Sequence, residues 1–116
     1  MIEPEKFRQM ALSLPETTEA PHFEIHSFKV VNKLFATLNL KENRATVKLS
    51  VEEQDLFCLY DKNVMYPVPN QWGKYGWTHI NLKTIPEEMC VDALIAAYCD
   101  VLPKKFSHLK EAVIKN

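Results

Sequence analysis

Glycine is nearly absent: the 116-residue chain has two, Gly73 and Gly76. That excludes a phosphate-binding loop, because the spacing Gly-x-x-x-x-Gly-Lys-[Ser/Thr] cannot be assembled from them. Cysteine is scarce as well. Three residues, an odd count with no Cys-x-x-Cys pair, read as reduced thiols rather than a disulfide framework. Cys90 and Cys99 lie nine positions apart on an expected helix, on roughly opposite faces, so they cannot share a bridge or a metal unaided. All three read as small buried hydrophobes. No stretch approaches the ~18 apolar residues of a membrane span. The acidic start Met1-Ile2-Glu3-Pro4-Glu5 lacks the layout of a signal peptide, so a cytoplasmic protein without membrane contact is expected. An excess of positive charge is missing too. The net charge is −1, whereas a domain that grips nucleic acid chiefly through phosphates is usually basic overall, so such a role here needs a local patch. No Ser, Cys or Thr sits in a nucleophile motif, and no carboxylates are paired for acid/base work. Neither an enzyme nor a cofactor is expected.

What is there is ordinary globular material. With 47% hydrophobic and 25% charged residues, the chain has the composition of a folded domain. Its length suits one domain over residues 1–116, able to bury about two-thirds of its unfolded surface without a staple. There is no internal repeat, linker or low-complexity run.

Periodicity predicts the element order. Glu3 to Leu14 reads as a helix, with Pro4 in its first turn and Phe7, Met10, Ala11 and Leu14 on one stripe; Pro15 ends it. Glu16 to Pro21 reads as a polar connection. Ile25 to Val31 is the first strand, and Val31-Asn32-Lys33 a turn, since Asn tolerates the left-handed conformation. Leu34, Ala36, Leu38 and Leu40 then alternate with Phe35, Thr37 and Asn39, and after a turn at Lys41-Glu42-Asn43 Ala45, Val47 and Leu49 alternate again. Short connections imply an antiparallel meander. Ser50 with Glu53 three residues on forms a capping box that starts a short helix. Val64 to Val68 is a strand that Pro67 and Pro69 push toward an edge or an early end; Thr78, Ile80 and Leu82 alternate on a fifth. Pro86-Glu87-Glu88 opens the last long helix, and Lys104 to Lys115 reads as a basic helical tail.

Three groups are candidates for chemistry. His22, Glu24 and His26 fall on one face if a strand starts at Pro21, a donor set that suits zinc; the plainer reading is a solvated strand start, and no metal is expected. The segment Trp72-Gly73-Lys74-Tyr75-Gly76-Trp77 offers Trp72 and Tyr75 for stacking and Lys74 for a phosphate, against aromatics that merely close over a sheet end. From His26 to Ser50, Lys29, Lys33, Lys41, Arg44 and Lys48 face only Glu42. Two hairpin tips would project that charge, either toward a nucleic-acid groove or simply as a solvated, aggregation-resistant surface. A second basic cluster, Lys104, Lys105, Lys110 and Lys115, lies at the C-terminus.

The segments Leu14-Pro15-Glu16-Thr17-Thr18-Glu19, Pro21-His22-Phe23, Ser27-Phe28-Lys29-Val30 and Lys33-Leu34-Phe35-Ala36, with the Trp77 strand and the helix from Pro86 to near Tyr98, resemble the MmcQ/YjbR-like family over nearly the whole chain. The resemblance implies a fold like that of secretion chaperones. The expected class is therefore α+β, a two-layer α/β sandwich of order α-β(3)-α-β(2)-α, with a five-stranded antiparallel sheet and helices on one face. It also implies DNA binding through a double-wing motif, which by position assigns the wings to Lys29, Lys33, Lys41, Arg44 and Lys48. Asn32 stands where the family often has glycine, and no family catalytic residue carries over. The function expected is a non-enzymatic binding module for DNA, or alternatively a protein-interaction or chaperone-like module. The distribution of the five basic residues relative to Glu52, Glu53 and Asp55 separates the two.

Overall fold

The alternating segments build the sheet, as seen in a computed structural model that describes residues 1–114. In chain order the elements are α1 (Pro4–Leu12), β1 (Thr17–His22), β2 (Ile25–Val30), β3 (Lys33–Asn39), β4 (Arg44–Lys48), α2 (Val51–Cys58), β5 (Met65–Pro67), α3 (Gln71–Lys74), β6 (Trp77–Asn81) and α4 (Glu87–Val101). A 3₁₀ turn over Lys104–Phe106 and α5 (Ser107–Ile114) complete the described chain. Lys115 of the expected basic tail lies outside the described residues.

The sheet has six antiparallel strands in the order β1-β2-β3-β4-β6-β5, not five. The extra strand is β1, the segment expected to be a polar connection. It pairs with β2 from Thr17↔Val30 to His22↔Ile25 but carries no apolar alternation, because the inward side chain at its centre is Glu19. As an edge strand it needs only one partner, and Pro21 on it, like Pro67 on β5 at the other edge, blunts pairing with another chain. The loop before β6 also folds further than expected, into the single turn α3 capped by Asn70 Oδ1 accepting from Trp72 N–H.

One face of the sheet is the core face. Phe28↔Ala36, Ala36↔Val47, Leu38↔Ala45, Ala45↔Ile80 and Met65↔Ile80 are cross-strand pairs of fully buried residues. Phe7 and Ala11 of α1 and Cys90, Ala93, Leu94, Ala97 and Tyr98 of α4 join them in one cluster, so the helices lie on this side. Phe7 meets Phe28 edge-on at 6.2 Å, and Phe35 meets Tyr98 at 5.5 Å. Tyr98 Oη donates to the Pro15 carbonyl at 2.6 Å, which satisfies its hydroxyl and pins the end of α1. The register slips between β2 and β3: Phe28 faces Ala36 while Lys29 faces Leu34, leaving Phe35 as the extra residue of a β-bulge. The bulge buries Phe35 and Ala36 together and turns Leu34 to the opposite face, which strict alternation would not do. Ser50 and Glu53 form the expected capping box, each side chain meeting the other's backbone N–H.

Candidate binding surface on the open sheet face

The residues between the core positions form a second face on which none joins the buried cluster. The register aligns them across the strands. Ala20, Ser27, Thr37, Thr46, His79 and Tyr66 form one row from β1 to β5. Thr18, Lys29 and Leu34 lie toward one end of it, with Lys48 opposite Trp77; Asn39, Arg44 and Asn81 lie toward the other. The strand positions on this face carry Lys29, Arg44 and Lys48 and no carboxylate. None of the three basic residues makes an ion pair among the described residues. Helix α2, with Glu52, Glu53 and Asp55, lies in the other layer, where the Gln54 amide donates to the hydroxyl of core-facing Thr78 and to the carbonyls of Gly73 and Trp77.

Lys33 and Lys41, the other two wing candidates, stand apart. Lys33 follows the β2–β3 turn, where Val31 and Asn32 both have positive φ in a two-residue connection, so Asn32 serves where the family often has glycine. Lys41 sits in the β3–β4 turn at the far end of the sheet, about 20 Å of strand away. The two basic tips thus point from opposite ends. The tip that does share the Lys41 end is that of β1–β2, where Phe23 is 90% exposed and the Glu24 carbonyl accepts from Leu40 N–H.

The trio His22, Glu24 and His26 is not brought onto one face. A turn separates β1 from β2 at Phe23 and Glu24, leaving His22 opposite Ile25 and sending His26 to the core side opposite Leu38. There His26 Nδ1 meets Glu19 Oε2, and Arg8 Nε donates to both Glu19 oxygens at 2.9 and 2.8 Å. The Arg8 hydrogen bonds hold the Glu19 carboxyl below its usual range even though partial burial opposes this. Glu19 is therefore a fixed anion clamping α1 to the β1–β2 hairpin. Among the described residues no group of three metal-ligating side chains exists. The thiols are equally inert: burial pushes Cys90 up to about 12 and raises Cys58 and Cys99 as well, and Cys58 is only half-buried rather than buried.

The expected stacking segment splits. Trp72, 57% exposed, reaches the open face, while Lys74 borders a different hollow with Gln54 and Pro69, and Tyr75 lines neither. Both glycines are needed for close backbone approach. A Cβ on Gly73 would lie 2.0 Å from the Val68 carbonyl oxygen, and one on Gly76 (φ +103°) 1.8 Å from that of Leu49. The result is a depression of about 290 Å³ on the open face, lined by Leu34, Thr37, Thr46, Val68, Trp72, Trp77 and His79. Thr46 Oγ1 and His79 Nδ1 are 2.8 Å apart, and Tyr66 packs edge-on against the imidazole at 5.4 Å. Burial first, and the Arg44 charge second, lower His79 to about 4, so the ring is neutral at pH 7 and its Nε2 is left without a protein partner among the described residues. Thr37, Thr46 and His79 belong to no motif in the sequence, and Leu34 and Trp77 stand in segments that carry the family resemblance without marking them as lining. The alternation opposite Thr78, Ile80 and Leu82 points to Trp77 and His79, but Leu34 reaches this face only through the bulge.

A second cluster lies at the start of α2. Ser50 N–H donates to Glu53 Oε1 at 3.0 Å and to Asp100 Oδ2 at 3.2 Å. Burial, then the hydrogen bond and charge of the neighbouring Glu53, push the Asp100 carboxyl up to about 7.

The architecture is that of a two-layer α+β protein with helices on one face of an antiparallel sheet and a partly apolar, basic surface on the other. The YjbR family model matches residues 12–99, and the chain belongs to that family. The crystal structure of protein DR2400 from Deinococcus radiodurans, with a domain of the DUF419 family, superposes with a TM-score of 0.73 over 99% of this chain and 92% of that one. At 20% identity that likeness speaks for the fold alone. The search of curated proteins finds no match. No helix among the described residues is long and apolar enough to cross a membrane.

Proposed function

We propose that the chain is a non-enzymatic nucleic-acid-binding module that holds the phosphate backbone across its open sheet face. One observation carries this: Lys29, Arg44 and Lys48 share a face with no carboxylate on its strands, although the chain as a whole is slightly acidic. Unpaired cations concentrated on one side create a local positive potential that overall charge conceals. The double-wing idea changes in form, since the tips at Lys33 and Lys41 lie at opposite ends and cannot straddle one groove as a pair. The backbone contacts come from the face between them.

Three cations on phosphates predict that log K falls with log[salt] at a slope of about −2 on single-stranded nucleic acid. Anisotropy titration of a labelled oligonucleotide at low and moderate salt measures it. Lys29→Ala with Lys48→Ala should lower the slope to about −1 and weaken binding about equally for all sequences. No binding at low salt, or unchanged binding by the double variant, contradicts the proposal. A protein-docking role rests on a different surface, the C-terminal end of α2, where Leu56 and, just past the helix, Leu59 are 69% and 80% exposed. Light scattering that finds a monomer at all concentrations removes its self-association form.

A further inference from the structure

We infer that the depression beside Trp72 and Trp77 receives one unpaired nucleobase, which makes the open face a single-strand rather than a duplex reader. The inference rests on the nucleic-acid proposal and deepens it. The lining is what the faces of a flat heteroaromatic ring need: Leu34, Val68 and two indoles form an almost wholly apolar surface, in which Thr46 Oγ1 is already paired with His79 Nδ1, so a ring is held by stacking and not read at its edge. At about 290 Å³ the space sits at the small end of ligand pockets, right for a ring system and too small for an extended ligand. The occupant is set by the charges around it. Lys29 lies directly across from Leu34, Lys48 directly across from Trp77, and Arg44 two residues along β4 from Thr46. An uncharged aromatic molecule would leave Lys29 and Arg44 unmatched, while Lys48, whose Nζ donates to the Leu49 carbonyl at 3.2 Å, has only the charge of Asp100 near it. A single phosphate would match one of the three. A strand that places one base in the pocket and runs its backbone over the surrounding sheet engages all three. A duplex keeps its bases stacked and offers none to the pocket without the cost of extruding it. Stacking platforms beside basic grooves are how single strands are held without sequence readout.

The chain's only two tryptophans both line this pocket, so intrinsic fluorescence reports on it directly. The experiment titrates four probes into the whole chain at low salt. They are a single-stranded oligonucleotide of about ten nucleotides, a duplex of the same sequence, a strand of equal length made of abasic sugar-phosphate units, and a nucleoside monophosphate. The base-bearing strand should quench the tryptophans and bind at least about tenfold more tightly than the abasic strand. The duplex should bind without quenching, and the monophosphate far more weakly than the strand. Trp72→Ala, at an exposed position, should bring the base-bearing strand down to the abasic level while leaving the abasic strand unaffected. Equal affinity for base-bearing and abasic strands overturns the base pocket but leaves backbone binding standing; this comparison uses the unaltered protein and does not depend on the variant folding. Monophosphate binding as tight as that of the strand overturns the strand as occupant. Absence of binding by every probe overturns both proposals.

Discussion

The two faces of the sheet are made by the same strands, residue by residue in alternation, yet they differ in almost every physical respect. The helix-facing side is apolar, interlocked by ring contacts such as Phe35–Tyr98, and filled to zero exposure at most positions. The open side is half-buried and mixed, with threonines, an imidazole, indoles and three unpaired cations. The first face has one use, to exclude water. The second is left uncovered, and the chain places three of its four basic strand residues, Lys29, Arg44 and Lys48, there while Glu19 turns inward to Arg8 and His26 and Glu53 caps a helix. A neutral overall charge can thus conceal a segregated one.

The two faces differ most in what a truncation costs. Phe35→Ala should lower unfolding stability in urea by about 3–5 kcal/mol, because it removes a fully buried ring with a defined partner. Thr37→Ala, two residues along on the open face, should cost less than about 0.5 kcal/mol. A similar loss at both sites would mean that the open face is packed as tightly as the other.

Glu19→Gln comes next, at about 2 kcal/mol near neutral pH, since it removes the charge on which Arg8 and His26 converge. The Glu19 pKa is depressed in the folded state, so its contribution is present above the ordinary carboxylate range and is lost as the pH falls below it. The deficit of the variant, measured by chemical denaturation, should therefore shrink in acid.

The smallest effect sharpens the description of the open face. His79 titrates near 6.5 when unfolded and at about 4 when folded. Between those values the unfolded chain binds more protons, so its contribution favours unfolding increasingly as the pH falls from 6.5 toward 4. Discounted for the ring's partial exposure, this amounts to about 1–2 kcal/mol. His79→Gln should flatten that part of the stability profile. An unchanged profile would place the imidazole in solvent rather than in the lining of a pocket.

Much of the helix-facing layer was legible because burial writes itself into the chain as periodicity. Leu38, Ala45, Val47 and Ile80 alternate, Ser50 and Glu53 announce a helix start, and Pro67 marks an edge. β1 was not legible, because an edge strand anchored by a partly buried ion pair has no apolar period. The open face was readable in part. Lys29, Arg44 and Lys48 stood out as basic, and Trp72 as aromatic, but what gathers them is non-local. The bulge at Phe35 turns Leu34 outward, and the β4–β6 pairing sets Lys48 against Trp77 and Thr46 against His79 across some thirty residues of chain. Lys33 and Lys41 looked equivalent to the others in sequence and were separated only by which end of a strand each turn closes.

On the proposed function, the open sheet face is the working surface. Amide chemical shifts of the isotopically labelled protein, followed while a single-stranded oligonucleotide is added at low salt, test it most directly. The account predicts perturbations concentrated at Lys29, Leu34, Thr37, Thr46, Lys48, Trp72, Trp77 and His79, together with the two indole N–H signals. Perturbations confined to α2, α4 or α5, with these positions silent, would contradict it.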